Sequence, residues 1–185
     1  MILINRIHIL GASGSGTTTL AERLSQEFSY NHLDTDNFFW VKTDPPFKHI
    51  REVSERIKLL GEKLDNVDKW VLSGSLCGWG DIFIPKFELV VFLWIPEEIR
   101  LNRILNREKR RYGEEINPGG KMYEQHLEFM EWASKYDLGD LDIRSKKLHE
   151  QWLNNLNCKV LRIEEDIEIE EKLQKVKDII SEDKY

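Results

Sequence analysis

The sequence predicts an α/β fold of three layers, with helices on both faces of a five-stranded parallel sheet, and two observations carry that prediction. Short apolar runs alternate with stretches of helical periodicity along the whole 185-residue chain, the order that builds a parallel sheet through crossover helices. The first run leads straight into Gly11-Ala12-Ser13-Gly14-Ser15-Gly16-Thr17-Thr18, which has the form of a phosphate-binding loop. In such a loop the glycines let backbone N–H groups fold around phosphate oxygens at a helix N-terminus. One position departs from the G-x-x-x-x-G-K-[ST] pattern: Thr17 stands where the lysine would reach the β- and γ-phosphates, while Thr18 supplies the hydroxyl expected on Mg²⁺.

Ile7 to Leu10 is short and apolar enough for a buried parallel strand. Leu20, Ala21, Leu24 and Phe28 then recur at helical spacing. His32-Leu33 reads as a second strand ending in Asp34-Thr35-Asp36. Asp44-Pro45-Pro46 marks a loop, and Ile50, Val53, Ile57, Leu60 and Leu64 form a helical stripe. Trp70 to Leu72 is a third strand, closing at Ser73-Gly74-Ser75. Leu89 to Ile95 gives seven apolar residues in a row, the clearest buried strand. Pro96 suits a helix's first turn, and Glu97 and Glu98 favour the positive end of its dipole. That helix runs to about Arg111, followed by a loop from Tyr112 to Gly120. Helices over about 121–136 and 141–156, a strand from Cys158 to Ile163 and a helix over about 167–181 complete the pattern. Ligands bind such sheets at the carboxyl ends of the strands, which gathers residues 11–18, 34–36, 73–75 and whatever follows Ile95 into one cleft.

Composition bounds the class. The length suits a single domain, 1–185, and 41% hydrophobic with 32% charged residues is ordinary for a soluble globular chain. No apolar run approaches the ~20 residues that span a bilayer, and no signal-peptide pattern opens the chain. Cys77 and Cys158 lie far apart without metal-ligand spacing, which suggests a cytoplasmic setting. A net charge of −6 argues against a nucleic-acid binder. The charge is uneven, with Arg100, Arg103, Arg107, Lys109, Arg110 and Arg111 in one helix and six acids in residues 164 to 171. Arg103 and Arg107 share a helix face, with Arg100 on the same side and Arg111 extending the row. In isolation this is a solvated basic face; beside a phosphate loop, arginines offer bidentate donors to phosphate oxygens.

The loop GASGSGTTT, the DxD after the second strand, and Ile95-Pro96-Glu97-Glu98-Ile99 followed by Arg103-Ile104-Leu105-Asn106-Arg107 resemble the nucleoside monophosphate kinase group, the adenylate-kinase-like and shikimate-kinase-like small phosphotransferases. The resemblance implies a P-loop NTPase fold with a helical lid insertion, here about 108–137 between core segments 1–107 and 138–185. It implies ATP and Mg²⁺ as cofactors and transfer of the γ-phosphoryl to a small acceptor. It places Arg103 on the base of ATP, Arg107 on phosphate, and Arg144 after the lid facing the transferred phosphoryl. Gly11, Ser13, Gly14, Ser15, Gly16, Thr17 and Thr18 would hold the nucleotide, with Thr18 and Asp34 on the metal and Asp36 accepting the proton of the attacking hydroxyl. Asp34 and Asp36 read equally as turn chemistry at a strand end. Phe38, Phe39 and Trp40 suit an acceptor wall or plain core.

Two departures bear on turnover. Ser73 stands where the group often has an aspartate, with Asp81 a weak candidate to replace it, and Thr17 removes the loop's cation. Either Arg107, Arg110, Arg111 or Lys121 supplies the charge from the lid, giving an active kinase, or the site binds nucleotide without turnover as a sensor or partner-binding module. Binding of sulfate or a phosphate ester without nucleotide is a third outcome. Only Arg51 and Arg56 could serve the phosphate of a nucleotide acceptor, which tilts toward a non-nucleotide one. His8, His32, His49, His126 and His149 read as structural or incidental, and the acceptor and oligomeric state are not legible.

Overall fold

The computed structural model describes residues 4–182, so the outermost residues of the expected 1–185 domain lie outside the described ones. Five parallel strands, β1 (Arg6–Gly11), β2 (Asn31–Asp34), β3 (Trp70–Ser73), β4 (Leu89–Leu93) and β5 (Lys159–Ile163), lie in the order β2-β3-β1-β4-β5. Successive side chains of a strand face opposite sides, and both sides here are apolar. Ile7, Ile9, Leu89, Val91 and Leu93 pack with Leu20 and Leu24 of α1 (Thr17–Phe28) and Leu173 and Val176 of α7 (Ile169–Glu182). Leu10, Leu72, Val90 and Phe92 pack on the other face with Leu60 and Leu64 of α3 (Val53–Asp65) and Trp152 and Leu153 of α6 (Lys146–Leu153). Three layers result, as the alternation predicts.

His8 sits in the middle of β1, stacked on Phe87 at 5.0 Å and edge-on to Trp152 at 5.6 Å, with Nδ1 donating to the Leu72 carbonyl at 3.0 Å. Burial pushes its pKa down to about 4, so the ring is neutral.

Several boundaries differ from the sequence reading. Ile50 and Val53 are exposed, and Ile50 instead forms an antiparallel bridge with Trp40, so the stripe starts a turn later. A one-turn helix, α2 (Asp36–Phe39), follows β2 directly. The expected 141–156 helix is shorter because Ser145 caps α6, its Oγ accepting from the Leu148 N–H at 3.0 Å. The 112–120 loop contains a 3₁₀ turn at Gly113–Ile116. α4 (Glu97–Tyr112) carries Glu97 and Glu98 in its first turn and Lys109, Arg110 and Arg111 in its last, matching the helix dipole at both ends. The 3₁₀ turn and α5 (Tyr123–Ser134) fold back on α4 and bury Ile116, Met122 and Ala133.

Candidate active site

One cleft of about 1600 Å³ opens at the carboxyl ends of the strands. Its floor is the glycine loop between β1 and α1. Gly14 has φ +83°, and a Cβ there would lie 2.6 Å from the Arg100 carbonyl oxygen, so the loop presses directly on the first turn of α4. Gly11, Ser13, Gly14, Gly16, Thr17 and Thr18 line the cleft. The Ser15 side chain is fully buried, has no hydrogen-bond partner among the described residues, and is not part of the cleft wall. The hydroxyl lies under the loop, 2.7 Å from where a Cβ on Gly11 would be.

The corner beside Thr18 is a hydrogen-bonded chain. Asp34 Oδ2 accepts from Thr18 Oγ1 and from Ser73 Oγ, each at 3.1 Å, and Asp34 Oδ1 accepts from the Asp36 N–H at 2.9 Å. One oxygen of Asp34 thus closes the strand-end turn while the other faces Thr18 and Ser73. Because the Ser73 proton is committed to Asp34, His32 Nε2, 2.9 Å from Ser73 Oγ, is the donor in that contact. Burial lowers the His32 pKa, which keeps the ring neutral and that tautomer available. Ser73 is thus not simply a missing acid; it orients Asp34. β2 and β3 pair with Asp34 opposite Ser73, which is why the two residues meet. His32, read as incidental, lines the cleft one hydrogen bond from Asp34. Asp81 faces elsewhere, accepting from Trp152 Nε1 at 2.8 Å.

Thr18 and Asp34 offer hard oxygen donors side by side, a set suited to Mg²⁺, which keeps waters and phosphate oxygens as its remaining ligands. Among the described residues no three His, Cys, Asp or Glu side chains form a cage complete in itself.

Asp36, two residues beyond Asp34, lines the same cleft with its side chain exposed to it. Burial raises its pKa above the ordinary carboxylate value, Asp34 adds to the rise, and Arg144, Arg107 and Arg111 oppose it. Arg103, Arg107, Arg110, Arg111 and Arg144 all line the cleft. Arg103 is held by Asp166 at 2.8 Å. Arg107 lies over the Phe129 ring at 5.7 Å, and its Nε is buried without a hydrogen-bond partner among the described residues. Burial and Arg111 push its pKa down. Arg144 lies over Trp132 at 5.2 Å, and no hydrogen bond or ion pair holds it among the described residues. Glu108 Oε1 lies 3.9 Å from Arg107 Nε and, with Asp36, partly offsets the charge, but the crowded cations still make this end of the cleft attractive to anions.

Two cations read as partners of that row are elsewhere. Arg100 is fully buried, with Nε donating to Ile95 O at 3.1 Å, Nη1 to Ala133 O at 3.3 Å and Nη2 to Asp137, which also accepts from Trp94 Nε1 at 2.6 Å. It clamps α4 to the residues after α5 instead of facing phosphate. Lys121 is exposed and absent from the cleft wall. Lys172 was not anticipated. It lines the cleft from α7, almost wholly buried, near Arg103 and Asp166.

Arg51 and Arg56 are occupied. Arg51 donates to Phe38 O at 3.0 Å and Trp40 O at 3.2 Å and pairs with Glu55, while Arg56 donates to Arg51 O at 2.5 Å and covers the Phe39 ring at 4.1 Å. Phe39, Trp40, Phe47, Phe129 and Trp132 line the cleft near Asp36, whereas Phe38 is core. Behind them His149 joins Tyr136 Oη at 2.8 Å to the cleft residue Ser75 at 3.1 Å, its pKa pushed down to about 3 mainly by burial.

A family model described as AAA domain matches residues 7–131. The chain is 50% identical over 175 residues to the uncharacterized protein YqaC of Bacillus subtilis (strain 168), covering 95% of this chain and 97% of that one. It is 30% identical over 119 residues to a cytidylate kinase of Methanocorpusculum labreanum, covering 56% of this chain and 63% of that one. In fold it is similar to a shikimate kinase from Acinetobacter baumannii solved with shikimate, with a TM-score of 0.60 and 19% identity over 98% of this chain and 95% of that one. A gluconokinase from Sinorhizobium meliloti gives a TM-score of 0.53 at 13% identity, over 98% and 94%.

Proposed function

This chain belongs to the AAA domain family and has the P-loop kinase-like fold, and on that premise we propose that it is an ATP-dependent phosphotransferase acting on the hydroxyl of a small acceptor. The observation that carries the reading is the convergence of Asp36, Arg107 and Arg144 on the cleft floored by the glycine loop. A loop alone binds phosphate; a carboxylate with a raised pKa among arginines adds what transfer needs, a proton acceptor and positive charge. The kinase names of the relatives point the same way.

In this reading Gly11, Ser13, Gly14, Gly16, Thr17 and Thr18 hold the triphosphate through backbone N–H groups and hydroxyls, and Arg103 flanks the base. Thr18 and Asp34 hold Mg²⁺, which when bound neutralises charge on the phosphates. Asp36 takes the acceptor hydroxyl's proton as its oxygen bonds the γ-phosphorus and the bond to the β–γ bridging oxygen breaks, leaving ADP. Arg107 and Arg144 stabilise charge on the phosphoryl oxygens, with Arg110 and Arg111 at the same end of α4. Residues of about 108–137 act as the lid that closes over these groups, carrying Arg110 and Arg111, and Gln125 Nε2, donating to Pro46 O at 2.8 Å, ties that lid to the opposite wall. No described helix is long and apolar enough to cross a membrane. With Cys77 and Cys158 both free, a cytoplasmic setting belongs to the same proposal.

Thr17 favours a second reading, a nucleotide sensor without turnover, because a neutral hydrogen bond is roughly half as strong as a charge-assisted one. Incubation with γ-labelled ATP, Mg²⁺ and a panel of small hydroxyl compounds separates the two. The kinase reading expects a phosphorylated product that disappears in Asp36→Asn. Nucleotide binding with no product from any member leaves the sensor.

A further inference from the structure

Resting on the phosphotransferase reading, we propose that the acceptor is a hydroxyl-bearing planar ring compound without a phosphate, held against Trp132 and Phe129 with its hydroxyl at Asp36. That chemistry is shared by nucleosides and by hydroxymethyl-substituted heterocycles. Three observations lead there. The cleft, at about 1600 Å³, exceeds the ~300–1,000 Å³ usual for one small ligand, so a nucleotide leaves room for a second molecule beside it. The walls of that remaining space are aromatic. Phe129 and Trp132 lie three residues apart on one face of α5, their rings 5.9 Å apart and near parallel, and Phe39 and Trp40 stand 5.0 Å apart on α2 and its end. Gln125, on α5, bonds to Pro46 in the loop that carries Phe47, so both aromatic sets belong to one enclosure.

The third observation is the charge left over. A phosphate on the acceptor needs its own cation on the α2–α3 side. The two arginines there are spent on backbone carbonyls, Glu55 and the Phe39 ring, and neither lines the cleft. Arg107 and Arg144 lie over Phe129 and Trp132 at 5.7 and 5.2 Å, and the proposal assigns them to the transferred phosphoryl because Thr17 brings no charge. Aromatic walls of this kind suit a flat ring better than a polyol.

Tryptophan fluorescence and calorimetry on the full chain, with and without ATP and Mg²⁺, test this using cytidine, adenosine and pyridoxine against cytidine monophosphate, shikimate and gluconate. At least one of the first three is expected to bind, quench the tryptophan signal and accept phosphoryl, with the last three at least tenfold weaker. Trp132→Ala should raise the acceptor KM at least tenfold while nucleotide Kd stays within about twofold, and Trp132→Phe should recover most of the loss; an unchanged melting curve certifies the fold. Preference for cytidine monophosphate, shikimate or gluconate overturns the proposal, as does an unchanged KM in Trp132→Ala or the absence of binding by every ring compound. Ring binding that depends on Trp132 without phosphoryl transfer upholds the acceptor class and sinks the kinase reading instead.

Discussion

The two ends of the cleft are made differently. At the end proposed for the nucleotide the candidate binding groups are backbone: a loop of eight consecutive residues from Gly11 to Thr18, shaped by positive-φ glycines and packed on Arg100. At the end proposed for the acceptor the candidate groups are side chains carried by segments far apart, Asp36, Arg107, Phe129, Trp132 and Arg144. Backbone N–H groups are indifferent to side-chain substitution, so in the proposed reading the loop can bind phosphate with Thr17 at the lysine position. In that reading the side-chain end supplies the charge that Thr17 lacks, because Arg107, Arg110, Arg111 and Arg144 converge there beside Asp36 and Glu108.

The comparison can be broken at either end. Removing the acid should hurt most: Asp36→Asn is expected to lower the transfer rate by roughly 10²–10⁴ and to leave nucleotide affinity near that of the parent. The parent's rate should rise with pH through a pKa above the ordinary carboxylate value of 3.8, and the variant should lack that limb. A raised carboxyl pKa means the fold favours the protonated form, a contribution present at low pH and lost as pH rises through the folded pKa. Asp36→Asn should therefore melt higher at neutral pH, which a thermal scan checks.

Acid stability probes the packing behind both ends. His8 and His149 have folded pKa values of about 4 and about 3 against 6.5 unfolded. The unfolded chain takes up protons first, so stability falls as pH drops below 6.5. For His8 the loss is roughly 3 kcal/mol by pH 4, at 1.36 kcal/mol per pKa unit. His8→Phe keeps the stack on Phe87 and should flatten that part of the urea-denaturation profile; an unchanged slope would place the acid sensitivity elsewhere.

At the nucleotide end, Gly14→Ala forces a Cβ to 2.6 Å from the Arg100 carbonyl at a φ of +83°. Strain of about 1–3 kcal/mol should weaken ATP binding on the order of tenfold or more in calorimetry. Ser73→Ala removes one donor to Asp34 and should cost about 0.5–1.5 kcal/mol, seen as a several-fold rise in the Mg²⁺ concentration needed for half-maximal rate. A larger effect than that of Gly14→Ala would reverse the order of importance drawn here.

The loop and the elements around it are legible in the sequence because they are local. Strand periodicity, the glycines and the DxD lie within thirty residues, and spacing alone brings Asp34, Asp36 and Thr18 to the ends of adjacent elements. What the sequence hid depends on partners far away. Arg100 shares a helical face with Arg107, yet Asp137 and the Ala133 carbonyl draw it into the interior. Ser73 looked like a lost acid until the β2–β3 register set it opposite Asp34. Lys172 resembles any surface lysine of an amphipathic helix, and only the packing of α7 turns it toward the cleft. Ser15 reads as one more loop hydroxyl, and its burial beneath Gly11 follows from the loop's turn geometry.

Whether the lid arginines replace the loop lysine is tested most directly by rescue. Phosphoryl transfer from ATP is measured in the parent, in Arg107→Ala, and in Arg107→Ala combined with Thr17→Lys. Loss of the arginine is expected to slow transfer on the order of 10³-fold with ATP binding weakened by less, and the added lysine to recover a substantial part of that rate. Arg107→Ala turning over at the parental rate would contradict the account, whatever Thr17→Lys does.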